Sequence, residues 1–198
     1  MCGIAGYFQL ESPRPPDRAL IGRMVNTLHH RGPDEFGAYL DDRCVLGQAR
    51  LSIIDLAGGS QPMCNEDGSL WITFNGEIFN YLELREELVG AGHVFRTRCD
   101  TEVIIHAYEQ WGRDCLTRFN GQWAFVLYNR RDRSLFFARD RLGVRPLFYA
   151  VHGGAFYFAS EIKAIFCAPE IPRRLDLKGL DERSEEHTSE LQSQLTIS

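Results

Sequence analysis

The sequence has no closely spaced pair of cysteines, no long apolar run and no excess of positive charge, and each absence removes a class of protein. Its six cysteines (Cys2, Cys44, Cys64, Cys99, Cys115 and Cys167) are scattered through 198 residues without a CxxC pair. A zinc site of the usual close-pair kind is therefore not expected. No apolar run approaches the roughly 20 residues needed to cross a bilayer. The start carries neither a basic segment nor a signal-type apolar core, which argues against export and so against a disulfide framework. The formal net charge of −5 has the wrong sign for gripping nucleic-acid phosphates. The expectation is a cytoplasmic protein with reduced thiols, using neither nucleic acid nor membrane as a partner.

What is present suits one domain with a sizeable core: 44% of residues are hydrophobic and 12% aromatic. Gly3–Leu10 reads as a strand. Leu20, Ile21, Met24, Val25 and Leu28 recur at helical spacing behind Pro15, Pro16 and a candidate N-cap, Asp17. Strands are expected at Gly37–Leu40, Cys44–Ile54 and Leu70–Phe74. Asn80 with Glu83 reads as a capping box for a helix ending at Gly90 and Gly92. Val103, Ile104, Ala107, Tyr108 and Trp111 mark another helix, from Asp100 or Thr101 to Gly112. The strands Trp123–Asn129, Leu135–Asp140, Leu147–His152 and Phe156–Ala159 follow, then a short helix over Ser160–Phe166. This order predicts an α+β fold with largely antiparallel sheets. The stretch Arg183–Ser198 has no aromatic residue and four serines; it reads as a disordered or artefactual tail.

The chain begins MCGIAGYF, with a cysteine directly behind the initiator methionine. A cysteine can be a small buried hydrophobe or a lipid-attachment site, but nothing precedes Cys2 except Met1. Removal of Met1 would put a thiol and a free α-amine on one residue. Their ordinary pKa values, about 8.5 and about 7.7–8.0, suit a nucleophile and its base. Gly3 would leave room for backbone approach to a substrate.

Six blocks in order resemble the glutaminase domain of class II glutamine amidotransferases, which belong to the N-terminal-nucleophile hydrolases. They are Cys2-Gly3-Ile4, Arg31-Gly32-Pro33-Asp34 with Gly37, the RLSIID run Arg50–Asp55, Asn75-Gly76-Glu77-Ile78, Asp100-Thr101-Glu102-Val103 and the run Arg139–Leu147. RLSIID and Ser160–Ala164 look most like the glutamine-hydrolysing asparagine synthetase branch. The resemblance covers residues 2–180 and implies a four-layer αββα sandwich. It implies Cys2 as the attacking thiol, with the Asn75 side chain and the Gly76 N–H as oxyanion donors. Arg50 would take the α-carboxylate of L-glutamine, whose shape a guanidinium fork matches, and Asp100 its α-ammonium. Glu77 and backbone groups of Leu51 and Ile53 would be further substrate contacts.

Plainer readings stand beside these. Asn-Gly is a strong hairpin-turn signal, Asp100 can be a helix N-cap, and Arg50 can be a surface ion pair. His29 and His30 sit at a helix end that favours cations. Arg139, Asp140, Arg141 and Arg145 read as a scaffold ion-pair network. Gly58-Gly59-Ser60 is too short for a phosphate loop. No cofactor or metal is expected in this domain. ATP and magnesium belong to a C-terminal synthetase domain, whose SGGxDS-type loop does not occur here. The resemblance leaves a homodimer open, as it does the glutaminase half of another amide-forming enzyme or a non-catalytic glutamine-binding module.

Overall fold

The computed structural model describes residues 1–52 and 58–174. The Ile53–Asp55 end of the RLSIID run and the tail after residue 174 lie outside the described residues. The chain runs β1 (Gly3–Gln9), α1 (Arg18–Thr27), β2 (Glu35–Leu40), β3 (Cys44–Arg50), β4 (Met63–Cys64), β5 (Leu70–Ile78), α2 (Tyr81–Gly90) and α3 (Asp100–Trp111), then α4 (Cys115–Arg118), β6 (Gly121–Asn129), β7 (Ser134–Arg139), β8 (Phe148–His152), β9 (Ala155–Ala159) and α5 (Ile162–Ile165). The strands form two antiparallel sheets, ordered β2-β3-β1-β9-β8 and β4-β5-β6-β7.

The pleat sorts side chains into layers, because alternate residues of a strand face opposite ways. In β1, Ala5 and Tyr7 pack under α1 and α5 with Met24, Leu28 and Ile165. Ile4 and Phe8 face the other way and meet Val126 and Tyr128 of the second sheet. That sheet turns Ile72, Phe74, Phe125 and Leu127 outward against Leu84, Leu88, Ile104 and Ile105 of α2 and α3. Helices, sheet, sheet, helices: the expected α+β class and its four αββα layers are both present.

Local signals held where nothing distant competed. Asp17 caps α1 by accepting from the Leu20 N–H at 2.8 Å. Asn80 makes no side-chain cap, so the capping box with Glu83 is corrected. Its amide instead bridges to Arg118 O at 3.0 Å and from Asn120 N at 2.9 Å, clipping the start of α2 to the approach to β6. The Asn-Gly pair is no turn, since β5 runs through it to Ile78. Sequence periodicity was too short to show β4 and α4.

The run Arg139–Leu147 is a correction too. Asp140 makes no ion pair with Arg139, Arg141 or Arg145 among the described contacts. Its carboxylate accepts four backbone N–H groups: Trp123 (3.1 Å), Leu142 (3.1 Å), Val144 (2.9 Å) and Arg145 (3.1 Å). Burial opposes ionisation, but these amides hold the carboxyl below the usual range.

Candidate active site

Cys2, Arg50 and Asn75 come together because of strand parity. Cys2 extends the Ile4–Phe8 face of β1, Arg50 continues the Cys44–Leu46 face of β3, and Asn75 follows Thr73 on β5. All three faces point between the sheets, so the side chains meet where that layer ends. There they line one pocket with Leu51, Gly76, Glu77 and Asp100. A buried seam joins the sheets just behind it: Gln48 donates to Phe74 O at 3.1 Å, and the Thr73 hydroxyl meets Gln48 Oε1 at 2.5 Å.

The nucleophile candidate is tightly placed. Ile4 exchanges bonds with Ser160, to its Oγ at 3.0 Å and from its N–H at 2.8 Å, which fixes the start of β1 against the end of β9. The Cys2 sulfur lies 3.4 Å from Leu51 N and 3.6 Å from Leu51 O. Arg31 Nε donates to Cys2 O at 3.0 Å, while its Nη1 pairs with Glu161 at 3.0 Å. The sequence reading quoted Arg31 in its motif but assigned it no role; nothing local shows that it reaches back 29 residues to the nucleophile's carbonyl. Gly3 is a glycine for a reason other than the expected substrate approach. A Cβ there would sit 2.7 Å from Leu28 Cβ, so α1 packs directly on the backbone behind the thiol.

Asn75 is 1% exposed, and among the described residues neither its Nδ2 nor its Oδ1 has a hydrogen-bond partner. Gly76 opposes Trp123 at φ +155°, and a Cβ would meet Gln122 O at 2.3 Å, so only glycine fits. Phe79 donates to Asn120, across β6. Alternation therefore turns the N–H groups of Phe74, Gly76 and Ile78 to the opposite, open edge. Gln61 Oε1 takes Phe74 N at 2.7 Å, and Asp100 Oδ2 takes Ile78 N at 3.1 Å. The Gly76 N–H lies between these two on the pocket edge.

Arg50 is buried and pairs with Glu35 Oε2 at 2.9 Å across the β2–β3 register. The ion pair anticipated as the plain alternative thus exists, but it stands in the pocket wall rather than on the surface. Hydrogen bonds from Ser60 and Arg50 hold the Glu35 carboxyl below its ordinary range against partial burial. Asp100 is the first residue of α3, behind the N-cap Cys99, and is not itself the cap. Burial pushes its carboxyl up, with Glu77 adding to the rise. Its Oδ1 lies 3.5 Å from Cys99 Sγ. His29 stacks on Phe36 and His30 bonds Glu161, so neither histidine joins the pocket. Ile53 lies outside the described residues. No helix among the described residues is long and apolar enough to cross a membrane.

The chain is 42% identical over 184 residues to asparagine synthetase [glutamine-hydrolyzing] 3 of Bacillus subtilis (strain 168), covering 92% of this chain and 30% of that protein. It is 41% identical over 167 residues to the probable asparagine synthetase [glutamine-hydrolyzing] of Dictyostelium discoideum, covering 83% of this chain and 30% of the relative. The chain thus spans under a third of the length of these relatives. The solved glutamine phosphoribosylpyrophosphate amidotransferase of B. subtilis superposes with a TM-score of 0.69 at 22% identity, over 84% of this chain and 43% of that one. This likeness shows the shared N-terminal-nucleophile fold. The family model described as the glutamine amidotransferase domain matches residues 1–197. With nearly the whole sequence matched, and Cys2 and Asn75 lining one pocket, the chain belongs to the glutamine amidotransferase domain family.

Proposed function

We propose that the chain, once Met1 is removed, hydrolyses L-glutamine to glutamate and ammonia through a γ-glutamyl thioester on Cys2. The observation that supports this most is the buried, unpartnered Asn75 amide beside the edge-facing Gly76 N–H in the same pocket as the thiol. A fold satisfies its buried polar groups. Two donors left facing a nucleophile suit an oxyanion that exists only during reaction.

The free amine of Cys2 takes the thiol proton, and sulfur attacks the side-chain amide carbon. The carbonyl oxygen becomes an oxyanion held by Asn75 Nδ2 and Gly76 N–H. The C–N bond breaks, and ammonia leaves with the proton returned by the amine. Water then attacks the thioester, its C–S bond breaks, and glutamate departs. Arg50 takes the substrate α-carboxylate, whose shape a guanidinium fork matches. Asp100 takes the α-ammonium, with Glu77 and the Leu51 and Ile53 backbones as further contacts. No cofactor takes part in this half-reaction.

In a longer protein of the length of its relatives, the ammonia would pass to an ATP- and magnesium-dependent synthetase domain of the asparagine-forming type. On this reading residues 2–180 are the amidotransferase domain, and 183–198 lie outside it. Incubating the processed chain with glutamine and measuring glutamate and ammonia separately tests the proposal. Glutamine binding without ammonia release would point to a binding module. Release from other amides but not from glutamine would point to a general hydrolase.

A further inference from the structure

Away from the pocket, His106 and Glu109 on the far part of α3 and His93 on the loop before it bring three potential ligand atoms within 3.6 Å of one another. His93 Nδ1 lies 3.2 Å from His106 Nδ1 and 3.6 Å from Glu109 Oε2; His106 Nδ1 lies 2.8 Å from Glu109 Oε2. A tetrahedral zinc site with bonds of about 2.0 Å has ligand atoms about 3.3 Å apart, and these three distances bracket that value. We propose that His93, His106 and Glu109 form a binding site for a divalent zinc-class cation, with water completing the coordination on the exposed Glu109 side.

The outer partners support this reading, because metal-ligating histidines are oriented by what their second nitrogen meets. His93 Nε2 faces Gln110 Oε1 at 3.1 Å. His106 Nε2, fully buried and without a hydrogen-bond partner, faces the carboxylates of Glu66 at 3.5 Å and Glu102 at 3.8 Å. Asn65 Nδ2 donates to Glu109 Oε1 at 2.8 Å, leaving Oε2 to the shared point. Gln110 and Asn65 thus tie down the far ends of His93 and Glu109, the far edge of His106 faces carboxylates, and a bound cation would displace the proton shared by His106 Nδ1 and Glu109 Oε2. The cation would staple the loop between α2 and α3, which carries His93, onto the helix whose first residue is Asp100. His93 and His106 are 13 residues apart in sequence, so the spacing rules that excluded cysteine-pair zinc sites could not show it.

The test uses the full chain carrying Cys2→Ala, so that the N-terminal thiol does not compete for metal. Titration with cobalt(II) as a spectroscopic stand-in should show one equivalent with visible ligand-field bands and no sulfur-to-metal charge transfer; zinc should displace it and raise the melting temperature. His93→Gln and Glu109→Gln, both outside the core, should each weaken zinc binding by more than about 100-fold while circular dichroism stays unchanged. Gln110→Leu should weaken it by about 10–100-fold. Absence of binding, thiolate charge-transfer bands, or zinc affinity undiminished from the parent in either ligand variant would overturn the proposal. None of these readouts depends on glutamine turnover, so the result stands apart from the fate of the amidotransferase reading.

Discussion

Two buried polar side chains flank the same stretch of β6 and have opposite surroundings. Asp140 reaches Trp123 from the β7 side and accepts four backbone N–H groups. Asn75 opposes the next residue, Ala124, from the β5 side and, among the described residues, accepts and donates nothing. An unsatisfied buried polar group costs about 1–3 kcal/mol, so the protein carries a cost at Asn75 that it avoids at Asp140. The satisfied group stabilises the fold. The unsatisfied one is poised for something that arrives from outside. Two buried aspartates repeat the contrast: the amides around Asp140 draw its carboxyl down, whereas burial drives that of Asp100 up.

Mutations can break or sharpen this difference. The largest effect is expected from Cys2→Ala, which should reduce ammonia release to background with an unchanged melting temperature; turnover by the variant would remove the thioester. Next, Asn75→Ala should lower kcat by about 10²–10³ while leaving thermal stability equal or higher, because an unsatisfied amide is deleted. Loss of stability with normal turnover would reverse the roles assigned to Asn75 and Asp140. Asp140→Ala is the mirror experiment. It strands amides that now meet a charge and should cost on the order of 3 kcal/mol, read from denaturant unfolding.

The smallest effect concerns pH. Asp140, with its depressed folded pKa, contributes stability that is present above the unfolded carboxylate range and is lost as pH falls through the folded value. Asp100 has the opposite sign: its raised pKa makes the ionised form costly, and acid relieves that cost. If Asp100 takes the substrate α-ammonium as proposed, binding needs it ionised, and KM should begin to rise with acid at a higher pH than an ordinary carboxylate would cause. Asp100→Asn should flatten that limb of the KM profile, and a limb unchanged in the variant would place the titrating group elsewhere.

Periodicity made the helices and strands legible because it is set by local chemistry, whereas the four-layer stacking was implied by the family resemblance. Asp17 worked as a cap because its partner is three residues away. Asn80 failed as one because Arg118 and Asn120, distant in sequence, claim its amide. The Asn-Gly pair looked like a turn for the same reason: only the pairing with β6 shows that the strand continues through it. Charge counting suggested an ion-pair network around Asp140, but nearby backbone amides outcompeted the arginine side chains. The pocket residues were recognised from motif resemblance and not from local physics. Arg31 and the His93–His106–Glu109 group escaped because each depends on a contact that no spacing along the chain encodes.

The position of β1 has a practical consequence for anyone producing this protein. The strand is buried along its full length between β3 and β9, and the residue before it has no slack. Met1, the group bonded to the Cys2 nitrogen, lines the pocket with its sulfur against Arg145. An affinity tag or fusion partner at that end would block the Cys2 amine and should yield a well-folded preparation that does not turn over glutamine. Specific activity in a bacterial preparation would then report how thoroughly the host's aminopeptidase had trimmed it.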